Sequence, residues 1–206
     1  MMAKKYNHME AVSRAAGFYR ANPHRFVKDF LHIDLKWFQK ICIFMMNLNS
    51  AFCMIASRGI GKSFLIAIYC VVRCVLYPGT MICIASGTRG QAVVVLEKIK
   101  TQLIPRSPEL KKELKGGDVQ ISSQQAAAYF LNGSYIKVVT STDTARSNRA
   151  NILVLDEFRM IDKDTIDTVL SKFLTTSRQP PYLNKPQYAG LKAKERNRQV
   201  YLSSAY

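Results

Sequence analysis

The sequence predicts an α/β protein with a mainly parallel central sheet flanked by helices and one β-hairpin, on a P-loop nucleotide-binding plan. Three observations carry that expectation. A Gly-rich turn, Ala56-Ser-Arg-Gly-Ile-Gly-Lys-Ser63, joins a short apolar run to a long one. Short all-apolar stretches alternate with helix-spaced segments, the pattern of strands linked by helical crossovers. A later apolar run, Ile152 to Leu155, ends in two adjacent carboxylates, Asp156-Glu157. In open α/β sheets the carboxyl ends of strands are where ligands bind.

The elements follow in order. Residues 8–21 carry Ala, Val and aromatic positions at helical spacing. Asn22-Pro23 breaks that helix, and Pro23 can start the next, with Phe26, Val27, Phe30 and Leu31 on one face. A further helix is expected after Gln39, ending near Asn47, and Asn49-Ser50 turns into the strand Phe52–Ala56. Residues 1–50 thus read as an N-terminal helical segment and 51–206 as the core. Phe64 to Tyr77 reads as a buried helix stopped by Pro78-Gly79. Met81–Ala85 is a strand buried on both faces, and Gln91–Leu103 a helix. Residues 105–118 form a polar, lysine-rich excursion. Gln125–Leu131, Asn132-Gly133 and Ser134–Thr140 form the clearest hairpin signal. Asp164–Thr175 suggests a helix, Thr176–Asn197 a basic loop, and Val200–Tyr206 a strand at which the chain stops, as if cut from a longer protein.

Composition narrows the partners. The 206 residues suffice for one α/β domain with a full core. Thirty Lys plus Arg against 14 Asp plus Glu give +16, which favours a polyanion: nucleic acid first, an anionic membrane surface second. The plainer alternative is a merely basic protein or fragment. Cys42, Cys53, Cys70, Cys74 and Cys83 lie in apolar surroundings with no CxxC pair and read as reduced core thiols. His8, His24 and His32 are scattered and read as structural or surface residues. The polar N-terminus lacks a signal-peptide core, and the longest apolar run is short for a membrane span and holds Arg73, so a soluble cytoplasmic protein is expected.

The Gly-rich turn carries the chemistry. Gly59 and Gly61 let the backbone curl so that successive N–H groups face phosphate oxygens, and the following helix adds its positive end. Ser57, Arg58, Gly59, Ile60, Gly61, Lys62 and Ser63 would wrap the phosphates of ATP, with Lys62 on the β- and γ-phosphates and Ser63 on Mg²⁺. One departure stands out: Ala56 occupies the place of the usual first Gly, six residues before the Lys. Asp156 is the second metal candidate, directly or through water. Glu157 is placed to polarise an attacking water, the role that defines the ASCE type of P-loop NTPase. An acidic pair at a strand end can be merely solvated; beside a P-loop the catalytic reading is preferred. Arg58 is a candidate for neutralising the γ-phosphate in its own site. Arg146, ten residues before Asp156, could reach a neighbouring subunit's nucleotide or contact DNA phosphate; for Arg149 the DNA contact is favoured. Gln39, after Trp37-Phe38, could read the adenine edge, although a Trp-Phe pair at a helix start is more often core.

Together these residues resemble the ATPase domain of the large terminase subunit, the DNA-packaging motor of tailed bacteriophages. The resemblance spans nearly the whole chain, from Asn22-Pro23 to the final Ser-Ser-Ala-Tyr. Leu35-Lys-Trp-Phe-Gln39 resembles the adenine motif, Ser57–Ser63 Walker A, Leu153–Glu157 Walker B, and Thr144–Arg149 the Arg-containing stretch before it. Leu202-Ser-Ser-Ala205 resembles the coupling motif, so Ser203 and Ser204 would sense the γ-phosphate. The family often has an Arg in this loop and no first Gly, which accommodates Ala56. The resemblance implies ATP hydrolysis coupled to translocation of double-stranded DNA into a procapsid in the host cytoplasm. It also implies a homo-oligomeric ring at the portal, a small terminase subunit as partner, and Arg146 as a finger acting in trans. The family's nuclease domain has no counterpart here, since Glu195 is the sole acidic residue after Asp167, so DNA cleavage is not expected. The rivals are a helicase-like nucleic-acid-stimulated ATPase and a truncated, non-catalytic nucleotide- or DNA-binding module. The Phe-Arg after Asp156-Glu157 departs from the helicase pattern.

Overall fold

The computed structural model describes residues 8–140, 148–180, 185–186 and 195–205. Three helices come first: α1 (His8–Ala21), α2 (Pro23–Leu31) and α3 (Trp37–Leu48). Pro23 sits at the start of α2, where its fixed φ costs nothing and no N–H is needed. His32 ends that helix in the left-handed region, φ 55°. The third helix opens at Trp37 rather than after Gln39, because the Gln39 side chain accepts from the Lys36 backbone N–H at 3.0 Å and caps the first turn.

The core is one sheet built from β1 (Ala51–Ala56), β2 (Met81–Ser86), β3 (Gln120–Ile121), β4 (Ala126–Tyr129), β5 (Tyr135–Val138), β6 (Ile152–Asp156) and β7 (Arg198–Ser204). The strand order is β1-β7-β6-β2-β5-β4-β3. Strands β1, β7, β6, β2 and β5 run parallel, and the β4–β5 hairpin turns the far edge antiparallel. The mainly parallel sheet with its hairpin is the expected one. One strand, β7, lies between the P-loop strand and the strand carrying Asp156.

Alternation along the strands divides the core. Ile82, Ile84, Ile152 and Val154 face one apolar cluster, while Cys83, Ala85, Leu153 and Leu155 face the other. The first cluster is the larger. It is filled by α4 (Lys62–Leu76) and α5 (Arg89–Lys98), with Phe26, Val27, Leu31, Ile43 and Met46 from α2 and α3. Ile66, Ile68, Val71 and Val72 on α4 are fully buried, each contributing about 1.5–3 kcal/mol of burial free energy. The second face is covered by short helical turns at 163–173, through Leu170 and Phe173. The helix expected over Asp164–Thr175 is therefore broken into an α turn, a π turn and a 3₁₀ turn. Likewise α5 begins at Arg89 and gives way to a π-type turn, Ile99–Leu103. Within the polar excursion, α6 (Pro108–Glu113) is capped by the Ser107 hydroxyl, which accepts from the Leu110 N–H.

Strand β1 pairs only with β7 among the described residues, and Ala51, Cys53 and Ile55 on one of its faces are exposed. Cys53 therefore departs from the expected core thiols. Cys70, Cys74 and Cys83 are buried, and Cys42 is half-buried. None of the helices among the described residues is long and apolar enough to cross a membrane.

Candidate nucleotide site

The site begins where β1 ends. Gly59 and Gly61 have φ of +83° and +91°, values that a residue with a Cβ adopts only under strain. They bend the chain from Ala56 into α4, whose first turn closes with Leu65 N–H on the Gly61 carbonyl at 2.9 Å. Lys62 is mostly buried and donates to the carbonyls of Ala56 at 3.0 Å and Ser57 at 3.3 Å. The loop's own oxygens thus hold the ammonium that phosphate oxygens would claim. Ser57, Arg58 and Ile60 are exposed.

Two strands away, β6 ends in Asp156, which is buried. Its carboxylate accepts from the Glu157 backbone N–H at 3.1 Å, and the nearby Ser63 hydroxyl and Lys62 charge favour its charged form, so the two metal candidates lie near one another. Burial, then the charge of Glu157, pushes the Asp156 carboxyl above its usual range. A buried, raised carboxylate beside a hydroxyl is an anion short of a cation, and that donor set suits a hard divalent metal.

Glu157 follows in the left-handed region at φ 48°. Its carboxylate accepts from the Ser204 backbone N–H at 2.8 Å, the Ser204 hydroxyl, and the Ser203 hydroxyl at 3.3 Å. Burial raises its pKa, but these donors and the Lys62 charge outweigh burial and hold it below the usual carboxylate range. The next two residues grip the same strand end. Phe158 meets Tyr201 edge-on at 5.7 Å, and Arg159 Nη1 donates to the Ser204 carbonyl at 3.3 Å. Residues 157–159 therefore close on the end of β7.

These parts surround one cavity of about 630 Å³. Arg58, Gly59, Gly61, Lys62 and Ser63 form one wall, and Glu157, Ser203 and Ser204 the other. The structure thus brings most of the expected set together. It adds Gln91, Lys98, Arg159 and Met160 to the lining. Gln91 and Lys98 are seven residues apart on α5, a spacing that put them on one face but pointed to no ligand in the sequence. Arg159 stands in the sequence only as the Arg of the Phe-Arg pair after Glu157, and that pair pointed to no ligand. With Arg58, Lys62, Lys98 and Arg159 against Glu157 in its lining, the cavity has an excess of positive charge, as a polyphosphate requires.

Gln39 lies at the edge of this site: a Cβ on Gly61 would come within 3.9 Å of its Nε2. Trp37, expected as core, is 74% exposed. Arg146 lies outside the described residues, and Arg149 is exposed near the end of the sheet. Among the described residues no cluster of three or more His, Cys, Asp or Glu forms a metal cage, so a metal would depend on Ser63, Asp156 and the ligand's own oxygens.

Comparison with known proteins places this geometry. The model of the family described as terminase large subunit, T4likevirus-type, N-terminal, matches residues 53–187. No curated protein matches the chain. Among solved structures, a point mutant of the Thermus phage P74-26 large terminase ATPase domain superposes with a TM-score of 0.60 at 15% identity, over 88% of this chain and 70% of that one. The same phage's ATPase domain without that mutation gives 0.57 at 14% identity, over 88% and 86%. The HK97 bacteriophage large terminase gives 0.60 at 16% identity over 90% of this chain, which spans 37% of that enzyme. At these identities the likeness shows the fold, a mainly parallel α/β sheet flanked by helices, and the family model shows the lineage. The chain belongs to the T4likevirus-type family of terminase large subunits, N-terminal part.

Proposed function

We propose that this chain is an ATP-hydrolysing motor domain that moves double-stranded DNA into a procapsid, acting in a homo-oligomeric ring with a small terminase subunit. One observation carries the reading: the P-loop and Glu157 line a single cavity, with Asp156 buried behind Glu157 and the end of β7 clamped to it. Bound MgATP supplies a polarised γ-phosphoryl group there. Lys62 and the loop N–H groups bind the phosphates. Ser63 and Asp156 hold the metal, Glu157 takes the proton of the attacking water, and Arg58 faces developing charge. Gln39 beside Gly61 is the adenine reader.

Ser203 and Ser204 give the coupling. They donate to the same carboxylate that serves as base, so a change in what Glu157 holds is felt at once by β7. A strand end released or regripped once per turnover is a two-state element of the kind a motor needs. The net charge of +16 suits sequence-independent contact with DNA phosphates.

Phosphate release from MgATP, measured with the whole chain, tests this. Lys62→Ala abolishes both nucleotide binding and turnover. Glu157→Gln keeps binding and lowers turnover by about 10²-fold or more. Arg146→Ala is expected to lower turnover if the arginine acts across subunits, and a rate linear in protein concentration together with no effect of Arg146→Ala removes that role. Tight nucleotide binding with no turnover leaves only a binding module, and turnover unchanged in Glu157→Gln removes the base assignment.

A further inference from the structure

A second groove opens at the same carboxyl edge of the sheet, on the hairpin side. It encloses about 380 Å³ and is lined by Arg89 at the start of α5, Lys137 of β5, Ser123, Gln124 and Gln125 before β4, and Asn148. Among the described residues no carboxylate lines it. It offers two cations among amides and hydroxyls.

Both cations are held in place. Arg89 Nη2 donates to the Ser122 carbonyl at 2.8 Å. The Lys137 ammonium lies 4.8 Å from the Tyr135 ring centre and 5.9 Å from that of Tyr129, and Gln125 Nε2 donates to the Tyr129 hydroxyl at 2.7 Å. Arg89 is also a cation in the first turn of a helix with no acidic residue there. That placement opposes the helix dipole, a cost that an anionic ligand reverses.

We propose that this groove holds the sugar-phosphate backbone of duplex DNA and reports its presence to the nucleotide cavity through the first turn of α5. The inference rests on the motor reading above and supplies its DNA contact. Amides, hydroxyls and cations without carboxylates contact backbone rather than base sequence, which suits a partner of any sequence. The rings of Tyr129 and Tyr135 carry the Lys137 ammonium near their faces and are not among the groove's lining residues, so they do not form the open stacking platform that a single strand uses. The link to the other site is short. Arg89 lines the groove and Gln91, two residues on, lines the nucleotide cavity. Gln91 Oε1 accepts from the Ser86 hydroxyl and the Thr88 N–H, both at 3.2 Å, so the turn joins the tip of β2 to both sites.

The test is a titration of a short fluorescent duplex of arbitrary sequence with the whole chain, without nucleotide, over a range of salt. Arg89→Gln and Lys137→Gln, singly and together, are set against Lys111→Gln/Lys112→Gln, which removes two exposed charges from α6. The groove pair is expected to weaken binding about 10-fold or more and to reduce the slope of log K against log[salt] by about 2, one unit per lost phosphate contact. The α6 pair is expected to change both far less. A single strand of equal length should bind no more tightly than the duplex. DNA-stimulated phosphate release falls in the groove variants, while the DNA-free rate and the melting temperature stay level. Equal losses from both pairs, or none from the groove pair, overturn the proposal, as does tighter binding of the single strand. The titration needs no ATP, so a chain that fails to hydrolyse ATP refutes the motor reading and leaves the groove separately testable. If Arg89→Gln unfolds the chain, Lys137→Gln alone carries the same comparison.

Discussion

At the residue scale, the chemistry depends on a few backbone conformations and one carboxylate. Gly61 at φ +91° turns the chain into α4, and a side chain there costs about 1–2 kcal/mol of strain just where the phosphates lie. Gly87 matters for another reason: a Cβ on it would come within 2.8 Å of Met160 Cβ, in the turn that carries Arg159. Gly87→Ala is therefore expected to displace residues 158–160 and lower turnover more than nucleotide affinity, as measured by kcat against KM. Glu157 titrates below its usual range because the donors of Ser204 and the Lys62 charge outweigh burial. Its base form then persists below the ordinary carboxylate pKa. Ser204→Ala removes a donor and is expected to move the acid limb of the kcat/KM profile upward in pH. An unmoved limb assigns that limb to a group other than Glu157.

At the element scale, the base of β7 is pinned as firmly as its tip. Glu195 pairs with Arg73 of α4 and with Arg178 Nε at 2.6 Å, and Arg198 Nε lies 3.4 Å away without hydrogen-bond alignment. The Arg73 guanidinium stacks 3.7 Å from the Tyr77 ring centre. Burial would raise the Glu195 pKa, but Arg73 and Arg178 bring it from 4.5 down to about 2. Because the folded value is the lower one, this stabilisation is complete above about pH 4.5 and is lost as pH falls toward 2. At about 1.4 kcal/mol per unit it amounts to about 3 kcal/mol. Glu195→Gln should lower stability by that order at pH 7 and flatten the acid limb of the urea-denaturation curve between pH 5 and 2. Equal stability loss at pH 7 and pH 2 removes the electrostatic explanation.

At the scale of the whole molecule, ligand and fold are linked by mass action. A nucleotide that binds only the folded chain stabilises it by about 2.7 kcal/mol at one hundred times its Kd. For a domain of this size that raises the melting temperature by roughly 5–10 °C. The rise should require magnesium and vanish in Lys62→Ala; the same rise in that variant places the nucleotide elsewhere. The molecule also exposes an apolar stripe on α3, from Trp37 through Ile41 and Phe44 to Leu48, beside the open edge of β1. Ile41→Lys is expected to change stability by less than about 0.5 kcal/mol, because that side chain is already half in water.

The P-loop, the buried α4, the Asp156–Glu157 strand end and the β4–β5 hairpin were all legible in the chain, because each depends on local patterning: glycines at fixed spacing, apolar runs and turn residues. Ser203 and Ser204 were legible only through family resemblance. What the sequence could not decide was adjacency. Strand order put β7 between β1 and β6 and so brought Ser204 onto a carboxylate 47 residues away. It also left one face of β1 bare, which is why Cys53 is exposed, and brought Arg73 and Glu195 together across 122 residues. Arg159, Lys98 and the Arg89–Lys137 groove belong to the same class. Periodicity records which face of an element is buried, whereas the pairing of distant strands is settled by packing two apolar faces at once, and only the folded chain contains that solution.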